Sequence, residues 1–271
     1  MPFTVSHIAA VLPFHKPLRR LGLLSAAAIG AMSPDLDFIL PIRLAREQTH
    51  GRLALLTFCL PVGLTAWVLF QALIKPALIA VLPNRVFARL SAEHLDARLG
   101  SVMTWFYAAL AILFGTLTHI IWDGFTHEAG RGARILSALG DSDPELVGSQ
   151  WQLYRWLQHG STLVGAAAVL MALWIWLRHT KAPNPLPERR LSARERHLWL
   201  AAYILIPVLL VGAAVAQTHY SGWPRLYSTE AITLFAVTGT NGIALALVFT
   251  SALVKRRLLI LDARRRPLPD G

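Results

Sequence analysis

The sequence predicts an all-α, polytopic integral membrane protein: a helical bundle of about five transmembrane helices plus a short N-terminal re-entrant helical pair. Three observations predict it. Of 271 residues, 55% are hydrophobic and only 15% are charged, and the mean hydropathy is +0.48, well to the apolar side of an ordinary globular chain. The apolar residues gather in runs long enough for the ~20 residues with which a helix crosses a bilayer. The bases cluster between those runs, so the net charge of +11 reads as topology determinants and anionic-lipid contacts. No motif supports a nucleic-acid partner. The single cysteine, Cys59, lies inside an apolar run, which excludes an intrachain disulfide or a thiolate zinc site and suits a small core residue.

The elements follow in order. Met1 to Phe14 is too short to span and leads into Pro13, Pro17 and the bases Lys16, Arg19 and Arg20, which come after the apolar stretch rather than before it, unlike a cleavable signal. A second short run, Leu21 to Met32, ends at Ser33-Pro34-Asp35-Leu36-Asp37. Two half-length helices in succession suggest a re-entrant hairpin, whose backbone survives at membrane depth only under cover of protein or water. That hairpin would carry His7 to Asp35 and Asp37. Leu53 to about Ile74 reads as a span that Pro61 and Gly63 permit to kink, and Lys75 to Leu99 as a basic interfacial connector. Ser101 to about Phe125 is the next span. The polar stretch 128–158 contains Trp151, Tyr154 and Trp156, ring types suited to the headgroup region. His159-Gly160-Ser161 opens a span to about Leu177, with Ser161 available as its cap. Leu198–Ala216 and Ala231–Val254 are plain hydrophobic spans.

The chain reads as one transmembrane domain over 1–271, with a motif-bearing part at 1–178, two plain spans within 198–254 and a basic tail at 255–271. The Arg/Lys-dense segments at 178–196 and 255–266 belong in the cytoplasm by the positive-inside rule. A multi-pass protein of the bacterial inner membrane, with a cytoplasmic C-terminus, is therefore expected. Counting backwards puts Asp35, Asp37, His50, His127 and His159 at the non-cytoplasmic ends of their segments.

The motif at the centre of this pattern is His119-Ile120-Ile121-Trp122-Asp123-Gly124-Phe125-Thr126-His127. Steps of four residues drift by only ~40° on a helix, so His119, Asp123 and His127 share one stripe. Ionisable groups in a span are expensive and read as functional. The candidate metal ligands are His7, Asp35, Asp37, His50, His119, Asp123 and His127; Asp37, Asp123 and His159 are the candidate catalytic groups. Imidazoles and carboxylates without a thiolate suit a divalent ion such as Zn, Mn or Fe. A rise of ~1.5 Å per residue puts His119 and His127 about 12 Å apart, so one ion cannot take all three from a regular helix. A break near Gly124, a second ion, or an orienting role for one member would each resolve this. The competing structural reading is a His–Asp hydrogen bond joining two helices. His15, His94, His179 and His197 sit beside charged or loop residues and read as interfacial; His219 is undecided.

Met1-Pro2-Phe3-Thr4-Val5-Ser6-His7, Ser33-Pro34-Asp35-Leu36-Asp37, the Thr118–His127 run and Leu157-Gln158-His159-Gly160-Ser161 together resemble the bacterial membrane family catalogued as domain of unknown function 4184. More distantly the arrangement is similar to membrane-bound metal-dependent hydrolases, which show an early Thr-x-His, an Asp-x-Asp and a His-x3-Asp. That second resemblance implies metal ligation by His7, Asp35, Asp37, His119 and Asp123, with His127 and His159 as additions of this chain. The expected function is a metal-dependent hydrolase acting on a lipid or other amphipathic substrate at the non-cytoplasmic face. A metal-ion or proton-coupled transporter and a structural membrane protein with a buried polar network are the alternatives. Membrane lipids are the expected partners; Arg43, Arg46 and Arg52 are candidates to hold a phosphate. No oligomeric state is implied.

Overall fold

The computed structural model describes residues 4–39, 44–90, 99–127, 130, 132–133, 135, 153–182, 191–222 and 228–265. All secondary structure among them is helical: α1 (His15–Arg20), α2 (Leu24–Gly30), α3 (Arg46–His50), α4 (Leu55–Val81), α5 (Asn84–Phe87), α6 (Val102–Thr126), α7 (Leu153–His179), α8 (Ala193–Ser221) and α9 (Thr229–Arg265). Thr4–Phe14 and Ser33–Ile39 are 3₁₀ segments. Among the described residues five helices, α4 and α6 to α9, are long and apolar enough to cross a membrane. The expected fold class, an all-α membrane protein, holds.

Several boundaries differ from expectation. Helix α4 runs on through Lys75-Pro76 to Val81, where a connector was expected. It does so by loosening: wider π turns occupy Leu55–Cys59 and Phe70–Ile74, close before Pro61 and Pro76, where the missing proline amides break the regular ladder. Helix α7 begins by Leu153, so Ser161 is no cap; its hydroxyl bonds back to the Gln158 carbonyl at 3.2 Å. Helix α9 continues through the basic segment to Arg265. Arg43, His94, Trp151, most of the 128–152 stretch and 183–190 lie outside the described residues.

The chain divides into two compact units, Met1–Trp67 with Leu99–His179 and Val68–Arg98 with Thr180–Gly271. In the second, Ser192 and Glu195 form a reciprocal cap at the start of α8, and Gly222 ends it in the left-handed conformation (φ 69°). Arg257 of α9 donates to Glu195 at 2.9 Å, Tyr203 and Ser251 share a hydrogen bond at 2.8 Å, and Lys255 donates to the Ala72 carbonyl at 3.1 Å. Pro76 has no amide with which to reach that carbonyl as a regular helix would.

The first unit holds the motifs. Thr4–Phe14, at a 3₁₀ rise of ~2.0 Å per residue, extends about 20 Å and cannot cross a ~30 Å hydrocarbon core. The chain turns at Gly22 (φ 71°), a conformation that glycine adopts without strain, and enters α2. Ala26, Ala27 and Gly30 of α2 then pack on Ala108, Ala111, Ile112 and Gly115 of α6, all buried. Small residues let the two backbones close up, as in membrane helix pairs: a Cβ added at Gly30 would strike the Ile112 carbonyl, and one at Gly115 the Ala27 carbonyl. Gly115→Ala should therefore cost at least about 1–3 kcal/mol through overpacking. Gly124→Ala, in the same helix but with open space around it, should be neutral or gain up to about 1 kcal/mol from helix propensity. Thermal melts of the two purified variants test this contrast.

Candidate metal-binding site

The glycine seam fixes what lies one turn further along α6. Thr116, fully buried, donates to the Ile112 carbonyl at 2.9 Å, and its oxygen lies 2.9 Å from the Ser33 hydroxyl, which bonds the Gly30 carbonyl at 2.9 Å. These contacts hold the end of α2 and the start of the Ser33–Ile39 segment against α6. His119, 0% exposed, donates from Nδ1 to the Ala31 carbonyl at 2.8 Å. That bond fixes the tautomer and leaves the Nε2 lone pair facing inward.

Four further side chains meet it. Asp123 follows His119 by one turn; its Oδ2 lies 3.6 Å from His119 Nε2. Asp35, on the 3₁₀ segment, places Oδ1 3.7 Å from His119 Nε2. His50, at the end of α3, sets Nε2 3.5 Å from Asp35 Oδ1 and 3.4 Å from Asp123 Oδ2. Its Nδ1 is 2.7 Å from the Thr49 hydroxyl. His7 stacks on His119 with centroids 3.8 Å apart and 22° between planes, and its Nε2 is 3.7 Å from Asp123 Oδ1.

The spacing is informative. His50, Asp35, His119 and Asp123 form a closed ring of contacts at 3.4–3.7 Å, too long for hydrogen bonds and close to the separation of donors around one ion with bonds of about 2.0–2.2 Å. His7 Nε2, His50 Nε2, His119 Nε2 and Asp123 Oδ1 are buried with no hydrogen-bond partner among the described residues. Orphaned buried polar atoms are costly, and here they converge. Two triads, His7–His119–Asp123 and Asp35–His50–His119, could each hold a metal ion. Burial, with His119 nearby, pushes His7 down to about 4, so its ring is a neutral donor at ordinary pH. Burial disfavours a charged His50, yet the facing carboxylates of Asp123 and Asp35 outweigh it and raise its pKa.

The remaining candidates fall outside the triads. Asp37 has a buried Oδ1 with no hydrogen-bond partner among the described residues, and burial, then the charge of Asp35, raises its pKa. Helix α6 runs past Gly124 and stops at Thr126, so His127 (φ −127°, ψ 141°) leaves the stripe; its Nδ1 sits 3.4 Å from Asp123 Oδ1 and 3.3 Å from the Asp123 carbonyl. His159 is exposed on α7.

Two contacts to the carboxylates were not expected from the sequence, which offers Arg46 as a candidate to hold a phosphate. Thr4 donates to Asp35 Oδ2 at 3.0 Å, and Arg46 donates to Asp123 Oδ2 at 2.7 Å. Both were within reach of periodicity: Thr4 lies one 3₁₀ turn before His7 and Arg46 one α turn before His50, each on the face of its histidine. Thr4→Val should lower stability by about 1–2 kcal/mol by stranding Asp35 Oδ2, and Thr4→Ser should restore it, as read in melts of chelator-treated protein.

A family model described as "Domain of unknown function (DUF4184)" matches residues 1–252. No curated protein and no solved structure matches the chain.

Proposed function

The chain belongs to the DUF4184 family, whose description transfers no activity, and from the site itself we propose that it is a membrane-embedded metal-dependent hydrolase acting on an amphipathic substrate. The observation that carries this reading is the convergence of orphaned, buried imidazole and carboxylate atoms at 3.4–3.7 Å. A structural polar network would close those gaps with hydrogen bonds. His7, Asp35, His50, His119 and Asp123 would hold the ion, and the donor chemistry suits Zn, Mn or Fe. His119 offers one free nitrogen to both triads, which favours one ion with up to five protein donors over two separate ions. When bound, such an ion supplies a Lewis acid that polarises a scissile oxygen and acidifies a water.

The chain's own residues account for the rest. The Ala31 carbonyl and the Thr49 hydroxyl orient the His119 and His50 rings, and Thr4 and Arg46 orient the two carboxylates, the arrangement by which outer partners tune metal ligands. Asp123 is occupied as a donor and as the partner of Arg46. Asp37, with a raised pKa and an unoccupied oxygen, is our choice for the proton-accepting group, in preference to Asp123 or the exposed His159. His127 would steady Asp123. The five membrane helices, with basic segments at 178–196 and 255–266, support a cytoplasmic C-terminus and a site towards the opposite face of a bacterial inner membrane.

Elemental analysis of detergent-purified protein should find near-stoichiometric divalent metal in the wild type and none in folded His119→Ala or Asp123→Ala. Absence of metal after reconstitution, with variants merely less stable, would sink the reading. Thr4→Val should weaken metal affinity about 10–100-fold. Protons compete for the His50 ring, whose pKa is raised, so retained metal should fall as the buffer is taken from about pH 8 to about pH 5. Reporter fusions active outside the cytoplasm at 128–158 and inactive at 178–196 test the orientation.

A further inference from the structure

Of the three histidines that face the cluster, two have their outer nitrogen satisfied, His119 by a carbonyl and His50 by a hydroxyl. His7 does not. It is 4% exposed, and its Nδ1 has no hydrogen-bond partner among the described residues. A ring whose inner nitrogen faces a metal site normally gives its other N–H to an oxygen, and among the described residues none supplies it.

His7 also lines a groove of about 200 Å³. Its other walls are almost all apolar or small: Ala9 and Ala10 from the 3₁₀ segment, Val164, Gly165 and Ala168 from α7, and Trp122 from α6. The backbones come close here, since a Cβ on Gly165 would lie 2.8 Å from the Ser6 carbonyl oxygen, and the Ser6 hydroxyl is tied to the Thr162 carbonyl at 3.0 Å. Such a groove, with the buried and unpartnered ring of His7 in its lining, fits an apolar chain that ends in an oxygen acceptor. On the other side of the His7 ring, across the Asp123 carboxylate from Nε2, stands a cation. Arg46 and His7 address the two oxygens of the same carboxylate, Arg46 at Oδ2 and His7 at Oδ1 of Asp123. The Arg46 side chain is 43% exposed, and among the described residues its bond to Asp123 engages one of its five N–H donors.

We propose that the groove is the acyl-chain subsite of the enzyme and that its substrate is a lipid with a negatively charged head group, the chain lying along Ala9–Ala10 and Val164–Ala168, a carbonyl oxygen on His7 Nδ1 and the anionic head on Arg46. The assignment rests on the hydrolase reading and names its substrate class. A neutral amphiphile leaves Arg46 without a function in binding, and a zwitterionic head sets its own cation beside the phosphate in competition with Arg46.

The test is photo-crosslinking of purified protein in nanodiscs with phospholipids that carry a diazirine on one acyl chain, comparing phosphatidylglycerol with phosphatidylcholine. Adducts are mapped by mass spectrometry and metal content is measured on the same samples. The expected result is label at Ala9–Ala10 and Val164–Ala168, about five- to tenfold stronger from the anionic lipid. Ala168→Phe should remove that label and leave bound metal unchanged. Arg46→Gln should abolish the head-group preference and Arg46→Lys should keep it; if Arg46→Gln does not fold, the wild-type preference decides. Label spread over the outer faces of the spans, equal for both lipids or indifferent to Ala168→Phe, overturns the proposal. With metal retained, that failure leaves the metal centre standing, whereas a wild type that binds no metal removes the hydrolase reading itself.

Discussion

Two helix backbones meet at Gly30 and Gly115 with no side chain between them, and the site depends on that approach. It brings the last carbonyls of α2 and its cap into reach of α6 and the segment packed on it, so that Ala31 can accept from His119 at 2.8 Å and Gly30 from Ser33 at 2.9 Å. A peptide carbonyl can only accept, so it fixes the His119 tautomer, and with Nδ1 engaged Nε2 turns a lone pair to Asp35 and Asp123. In an apolar medium the driving force for such packing is contact and hydrogen bonding, since lipid is as apolar as the side chains. The small residues that bring the helices together thus also decide the chemistry of the ring buried beside them.

Much of the fold was legible because the bilayer imposes a length on apolar runs. All five long helices fall where runs of apolar residues lie. Their ends were less legible, for a physical reason visible at Lys75-Pro76. A basic residue followed by proline ordinarily closes a span, but Lys75 turns back to Gln71 at 3.1 Å and Lys255 occupies the Ala72 carbonyl, so the helix passes through. The second lysine lies 180 residues away in the chain, and no local pattern announces it.

The site was legible where periodicity spoke and obscure where tertiary geometry did. His119 and Asp123 followed from a four-residue step on one helix, and Asp35, His50 and His7 from the rule that buried ionisable groups seek company. Thr4 and Arg46 obey the same arithmetic but are of types that decorate surfaces, so spacing alone did not mark them as partners of the carboxylates, and Arg46 reads as a phosphate holder instead. His127 shows the opposite failure: its spacing continues the stripe, yet the helix ends one residue before it. Asp37 shares its turn with Asp35 and stays out of both triads, a difference that depends on the exact path of a 3₁₀ segment.

Helix α9 has a mechanical consequence. Its 37 residues make a rod of about 55 Å at the helical rise of ~1.5 Å per residue, nearly twice a ~30 Å hydrocarbon core. Its hydrophobic part ends near Val254, and the remainder, with Lys255, Arg256, Arg257, Arg264 and Arg265, continues without a break. Lys255, Arg256 and Arg257 are therefore carried on continuous helix. Lys255 and Arg257 point back into contacts with Ala72 and Glu195, while Arg256 is exposed at the same level. A flexible tail would average its charge over a hemisphere, whereas this one presents it in register, one helical turn at a time.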